Sequence, residues 1–205
     1  MRLESIVLDH AYDVLNLSDS VVSQIEEMYS SPGRHYHTLK HVEDILKGVM
    51  YDSTFSKELM AAAIFHDVVY DTQSSRNELL SAQFAEDNLE RTLLDVDLVV
   101  DMIMASKNHE FLESTDERSV AINTFLKADL RILWSELDEY GKYAQGIRKE
   151  YDWVESSQYI EGRTNVLHSL FKDILYADLI ISDNEVDKAW SNMMWEINWL
   201  NGISI

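Results

Sequence analysis

An all-α fold built as a single domain is what this sequence predicts, and three observations carry the prediction. Long stretches repeat apolar residues at the 3.6-residue period of a helix. Breakers are scarce, with one proline and six glycines in 205 residues. No repeat, low-complexity segment or linker divides the chain, whose length suits one domain with a substantial core.

The elements follow in order. Val21, Val22, Ile25, Met28 and Tyr29 form a helical stripe, which Ser30-Ser31-Pro32-Gly33 ends. A helix is expected from about Tyr36 to Val49 and another from Lys57 to His66. Ser75 and Glu78 have capping-box spacing and open a helix to about Arg91. Val96, Val99, Val100 and Ile103 mark the next. Ser114 and Glu117 repeat the capping spacing before a helix through Ile122, Leu126 and Leu133. Helices from Ser135 to Tyr151 and from Glu161 to Tyr176 come next. The last begins at Ser182, with Glu185 three residues on, and stops near Gly202. Its Val186, Trp190, Met193, Ile197 and Leu200 read as core positions. Roughly eight or nine helices with short connections suit a compact bundle.

Composition narrows the chemistry. Without cysteine there is no disulfide, thiolate metal site or cysteine nucleophile. The start, Met1-Arg2-Leu3-Glu4-Ser5, lacks the apolar core of a signal peptide. The longest apolar run, Leu59 to Phe65, is too short to span a bilayer. A cytoplasmic protein without membrane contact is the expectation. A formal charge of −20 repels a nucleic-acid polymer, which is bound by neutralising its phosphates with lysine and arginine. A small phosphorylated substrate stays compatible, since a metal and a few local arginines outweigh the distant field. The composition leaves a homo-oligomer open.

The residues that carry chemistry interrupt apolar stripes. His37, His41, Ile45 and Val49 share one i, i+4 row. Leu59, Ala62, Ala63 and His66 form an i, i+3, i+4, i+7 set, and Asp67 adjoins it. Ile122, Leu126, Asp129 and Leu133 place a carboxylate on a third apolar face. An unpaired carboxylate there costs several kcal/mol, so it needs a cation or strong hydrogen bonds. Each residue alone reads as a core histidine bonded to a carbonyl, or as an Asp129 paired with Arg131 or Arg163. Converging on one cation would satisfy all of them. Spacing leaves both readings open.

A histidine, then His66-Asp67, then a distant Asp129 in a helical chain resembles the HD superfamily of metal-dependent phosphohydrolases. Tyr36-His37, His41 and Asp44 are also similar to a segment of the cyclic-nucleotide phosphodiesterases of that superfamily. The fullest resemblance is to a group of small bacterial predicted HD phosphohydrolases. It covers Arg34 to His41, Phe65 to Asp71, Asn77-Glu78, His109, Ala128-Asp129, Arg148 to Tyr151 and Gly162-Arg163.

The resemblance implies an HD-type bundle over residues 1–205, its metal-site core at roughly 34–135 and helices 136–202 packed on it. It implies His41, His66, Asp67 and Asp129 as metal ligands. Such a mixed nitrogen and oxygen set suits Mn, Fe, Co, Ni or Zn, and Mg less well. Glu43 and Asp44 are weak candidates to orient the ligating imidazoles. His37 matches the position that protonates the leaving oxygen in the phosphodiesterases; the alternative is a merely buried histidine.

Phe65 to Thr72 is similar to the hydrolase motif of alarmone hydrolases, in which a Glu-Asp pair follows the doublet. Here Tyr70 stands at the Glu position and only Asp71 remains, a candidate to orient the attacking water. His109 and Glu78 are candidates for a second metal or for phosphate, against readings as an exposed loop histidine and a capping residue. Arg34, Arg148 and Arg163 are candidate phosphate-facing cations, with Arg76 and Lys107 behind them. His10, His35 and His168 carry no argument beyond residue type.

The function expected is hydrolysis of a phosphoester or phosphoanhydride in a small molecule such as a nucleotide. The alternatives are a di-iron oxygenase on the same scaffold, with His37, Asp71, Glu78 and His109 as suppliers of further ligands, and a non-catalytic binding module.

Overall fold

The computed structural model describes residues 6–49, 56–175, 177 and 180–202. Among them run ten α-helices: α1 (Ile6–Val14), α2 (Asp19–Tyr29), α3 (Leu39–Val49), α4 (Lys57–Phe65), α5 (Asn77–Asn88), α6 (Val96–Ala105), α7 (Glu117–Asp129), α8 (Leu137–Glu150), α9 (Ser156–Leu175) and α10 (Asp183–Leu200). A 3₁₀ segment, Leu130–Trp134, joins α7 to α8. No strand occurs among the described residues, and none of their helices is long and apolar enough to cross a membrane.

α4 lies at the centre. Leu59 through Phe65 are all buried, as expected of a helix that is apolar on every side. α1, α3, α5, α6 and α7 pack around it. The buried apolar residues form two clusters, one from Leu8 to Ala128 and one from Leu130 to Met193. Asp129 is the residue between them, and the 3₁₀ segment packs on α7, α8 and α10 across the junction.

Several helix ends differ from expectation for local reasons. α1 has no counterpart among the expected helices, and its short stripe is Leu8, Ala11 and Tyr12. The Ser75–Glu78 capping box does not form: α5 starts at Asn77 and stops at Asn88, short of Arg91. The Asn77 side chain instead receives the Asp71 N–H at 3.1 Å and donates to the Asp71 carbonyl at 2.9 Å. At α7 the cap is Asp116, which accepts the Ser119 N–H at 3.0 Å, so the Ser114–Glu117 box fails as well. α9 begins already at Ser156; its expected end at Tyr176 lies outside the described residues. The expected cap of α10 does form, with Glu185 accepting the Ser182 N–H at 2.8 Å, and Gly202 follows in the left-handed region at φ +70°.

The buried face of α10 is rotated from the expected one. Ala189, Asn192, Met193 and Glu196 face inward, whereas Trp190 is 44% exposed. Polar demands set this choice. Asn192 donates to the carbonyls of Leu133 and Ser135, both at 3.0 Å. Glu196 meets the Arg163 guanidinium at 2.7 and 3.1 Å.

Candidate metal centre

α3, α4 and α7 each contribute one buried polar side chain, or its flank, to a common point. His41 sits in the first turn of α3, on a row continued by buried Ile45 and Val49. His66 follows the last residue of α4, its backbone still helical. Asp129 is the last residue of α7, where the turn into the 3₁₀ segment keeps it beside the core. The helical-row reading of His41, His66 and Asp129 thus holds in three dimensions.

Among the described residues, His41, His66 and Asp129 form a group whose donor atoms all lie within 4.8 Å of one another. His41 Nε2 is 3.1 Å from Asp129 Oδ1 and 3.3 Å from His66 Nε2. His66 Nε2 is 3.6 Å from Asp129 Oδ1. Asp67 adjoins this group, its Oδ2 3.0 Å from His66 Nε2. The second ring nitrogen of His66 fixes the chemistry. Nδ1 lies 3.0 Å from the Ala63 carbonyl, which only accepts, so Nδ1 carries the proton. Nε2 faces two carboxylate oxygens and another imidazole. Buried carboxylates gathered round it call for a positive charge, as a proton on Nε2 or as a bound cation.

The electrostatics agree. Burial would depress the His66 imidazole, but Asp67 and Asp129 outweigh it and raise its pKa to about 9. Burial would raise both carboxyls, yet His66 first, then His37 for Asp67 and His109 and His41 for Asp129, hold them below the carboxylate range. His41 goes the other way, lowered chiefly by its own burial. A place that concentrates positive charge among nitrogen and oxygen donors fits a divalent transition metal. Neither weak candidate for orienting the imidazoles is needed for His66, whose partner is Ala63. Glu43 and Asp44 instead form exposed i, i+4 pairs with Lys47 and Lys40.

His37 departs from the expected helix. α3 starts at Leu39, so His37 lies in the bend before it. The cause is Glu150, the last residue of α8. Its Oε1 accepts the N–H groups of His35, Tyr36 and His37 at 2.8, 2.7 and 2.9 Å. Those amides precede α3 and take no part in its hydrogen-bond ladder. Its Oε2 accepts His37 Nδ1–H at 2.7 Å and the Tyr70 hydroxyl at 3.0 Å. Gly146 permits this approach, because a Cβ there would lie 3.1 Å from Tyr36 Cβ.

Held this way, His37 turns Nε2 toward Asp67 Oδ2, 3.8 Å away. Burial pulls its pKa down, but Asp67 and Glu150 prevail and raise it above the ordinary histidine value. Burial likewise opposes ionisation of Glu150, yet the His37 ring and the backbone amides bring its pKa down to about 2.

His109 joins the group from the loop after α6. Its Nε2 is 3.1 Å from Asp129 Oδ2, and its backbone is left-handed at φ 57°. That conformation is uncommon for a residue with a Cβ and is held by the surrounding loop. Asn123 on α7 receives the Leu112 N–H and donates to the Leu112 carbonyl, both at 2.8 Å. Glu78 and Lys107 line the same cavity, 4.0 Å apart.

Other expected site residues stand elsewhere. Asp71 is exposed, accepts the Gln73 N–H at 2.8 Å and does not line the cavity. Arg34 is a clamp within the backbone, donating to the carbonyls of His37, Asp67 and Val68 at 2.9, 2.7 and 2.8 Å. Arg148 holds the Tyr151 carbonyl at 2.7 Å. Arg163 reaches the cavity wall but is matched to Glu196 and to the Tyr143 hydroxyl at 2.9 Å. Neither Arg131 nor Arg163 pairs with Asp129; Arg131 reaches the Asp44 carbonyl at 3.0 Å. His10, His35 and His168 are exposed.

Sequence reasoning passed over Glu150, although the signal existed. It continues Tyr140, Tyr143 and Ile147 at helical spacing, and all four are buried. The same interruption of an apolar stripe had singled out His66 and Asp129. The chain matches no family model, no curated protein and no solved structure, so its reading rests on these residues and their geometry.

Proposed function

We propose that this protein is a metal-dependent phosphohydrolase acting on a phosphoester or phosphoanhydride bond of a small molecule. The observation that carries the reading is the buried convergence of His41, His66 and Asp129, whose donor atoms all lie within 4.8 Å of one another, with Asp67 Oδ2 3.0 Å from His66 Nε2. His41, His66 and Asp129 would hold the cation, with Asp67 beside them. A bound divalent ion of the Mn, Fe, Co, Ni or Zn type supplies a water of lowered pKa and polarises the phosphoryl group it faces.

The chain's own residues supply the rest. His37, protonated at Nδ1 by its bond to Glu150, is raised toward the charged form and presents Nε2 to the cavity. A histidine so placed gives a proton to a departing oxygen at neutral pH. Tyr70 packs tilted against that ring, centroids 4.4 Å apart, and shares Glu150 with it, which fixes the ring's direction. This use of Tyr70 explains a tyrosine where the alarmone-hydrolase motif has an acid. The oxygenase alternative draws less support, since Asp71 caps a turn and His37 is committed to Glu150.

The test is elemental analysis of metal-free and reconstituted protein, combined with phosphate release from a panel of phosphorylated compounds. The expected result is about one to two ions per chain and metal-dependent phosphate release, both lost in Asp129→Ala. Undiminished hydrolysis by metal-free Asp129→Ala would overturn the reading. So would a metal-loaded wild-type protein that turns over no phosphate compound.

A further inference from the structure

The cavity over His66 and Asp129 carries an inference about substrate class, which rests on the phosphohydrolase reading above. Its volume is about 270 Å³. That is just below the range of small-molecule sites, roughly 300–1,000 Å³. Its wall contains two side chains that are permanently cationic, Lys107 and Arg163. Arg163 is spent on Glu196 and Tyr143. Lys107, 45% exposed at its side chain, donates to the Ser75 carbonyl at 3.0 Å and stands 4.0 Å from Glu78.

Sites for transferring phosphoryl groups meet each anionic group with arginine, lysine or metal. Here Lys107 is the one lysine on the cavity wall, on a chain of formal charge −20. A second or third phosphate would extend toward Glu78 and that field with no further lysine or arginine of the wall to receive it. One side of the wall is apolar, built from Ile132, Leu133, Ile147, Val166 and Leu170. Tyr36, Tyr143 and Tyr151 add ring faces. Val166 is 48% exposed, so apolar surface continues to the mouth.

We propose that the site takes a phosphomonoester, a single phosphate on a compact aromatic or aliphatic alcohol, in preference to a di- or triphosphate. The phosphate lies toward His41, His66 and Asp129 with Lys107 at its outer side, and the alcohol packs between the α8 and α9 walls. In hydrolysis a water oxygen bonds to phosphorus as the ester P–O bond breaks. The water releases one proton to solvent. The departing alkoxide takes a proton from His37, which regains one from solvent, and the products are the alcohol and orthophosphate.

The test uses full-length protein in excess Mn²⁺, with calorimetric binding alongside turnover. The probes are phenylphosphonate, methylphosphonate and the α,β-methylene analogue of ADP; the substrates are phenyl phosphate, pyrophosphate and ATP. Phenylphosphonate is expected to bind at least about tenfold tighter than the diphosphate analogue, and kcat/KM to follow the same order. Val166→Ser, at an exposed position, weakens phenylphosphonate about threefold more than methylphosphonate. Lys107→Ala weakens both phosphonates about equally.

A diphosphate analogue that binds as tightly as phenylphosphonate overturns the proposal. So does equal binding of the phenyl and methyl compounds, or binding of none of the three. The phosphonate preference without phosphate release from any substrate upholds the ligand class and removes the hydrolase reading.

Discussion

Glu150 is where one residue does most to shape the candidate site. Its side chain is fully buried, and its two oxygens serve three backbone amides, a histidine and a tyrosine. The amides fix where α3 starts, and the other oxygen fixes which way His37 points. Because its folded pKa of about 2 lies below its ordinary value, Glu150 contributes stability that is complete above the unfolded pKa. That contribution is lost as pH falls from about 4.5 toward 2 and is on the order of 3 kcal/mol. Urea unfolding between pH 6 and pH 2 is expected to show it, and Glu150→Gln to flatten the acid limb. The same variant lowers the His37 pKa, read from its imidazole NMR signal in metal-free protein. An unchanged His37 titration would separate the two residues.

Residue-level legibility was uneven for a physical reason. His41, His66 and Asp129 were found because a polar side chain broke an apolar row, and all three are buried as that signal requires. His37 shared the same row but lies off the helix, because a distant carboxylate competes for its backbone. Spacing registers which side chains share a helix face. It does not register a tertiary partner more than a hundred residues away, and the His37–Glu150 separation is 113.

At the scale of elements, helix interiors were readable and their ends were not. The 3.6-residue period survives in the buried faces of α3, α4 and α7, whereas caps depend on which oxygen is nearest. Asp116 displaced Ser114, and Asn77 turned away to hold the loop after Asp67. The loop after α6 shows the same economy, since Asn123 pins Leu112 at both its N–H and its carbonyl. Asn123→Ala removes two half-buried hydrogen bonds and leaves the Leu112 groups without that partner. A loss of about 2–3 kcal/mol in urea unfolding is expected. Since the same loop brings His109 to Asp129, metal affinity should fall about tenfold with it. Full stability with reduced affinity, or the reverse, would uncouple loop anchoring from the site.

For the whole molecule, the decisive feature is that the candidate metal centre lies where the two apolar clusters meet. Leu8 to Ala128 form one and Leu130 to Met193 the other, with Asp129 between them and His37 tied across to α8. A cation that binds these ligands only when the fold brings them together adds its binding energy to folding. Metal binding is therefore expected to stabilise the whole fold. At a free metal concentration 100 times Kd the increment is about 2.7 kcal/mol. In a chain of this length that corresponds to a rise in Tm of roughly 2–4 °C per kcal/mol. Thermal unfolding of protein stripped with a chelator and then titrated with Mn²⁺ or Zn²⁺ measures it. Wild type should give one transition that moves upward with metal, because Asp129 joins the two clusters and Glu150 on α8 holds His37 beside Asp67. Asp129→Ala should lose most of that response. A metal that raised only part of a divided transition would show that the two clusters unfold independently, and the junction would then have no part in coupling them.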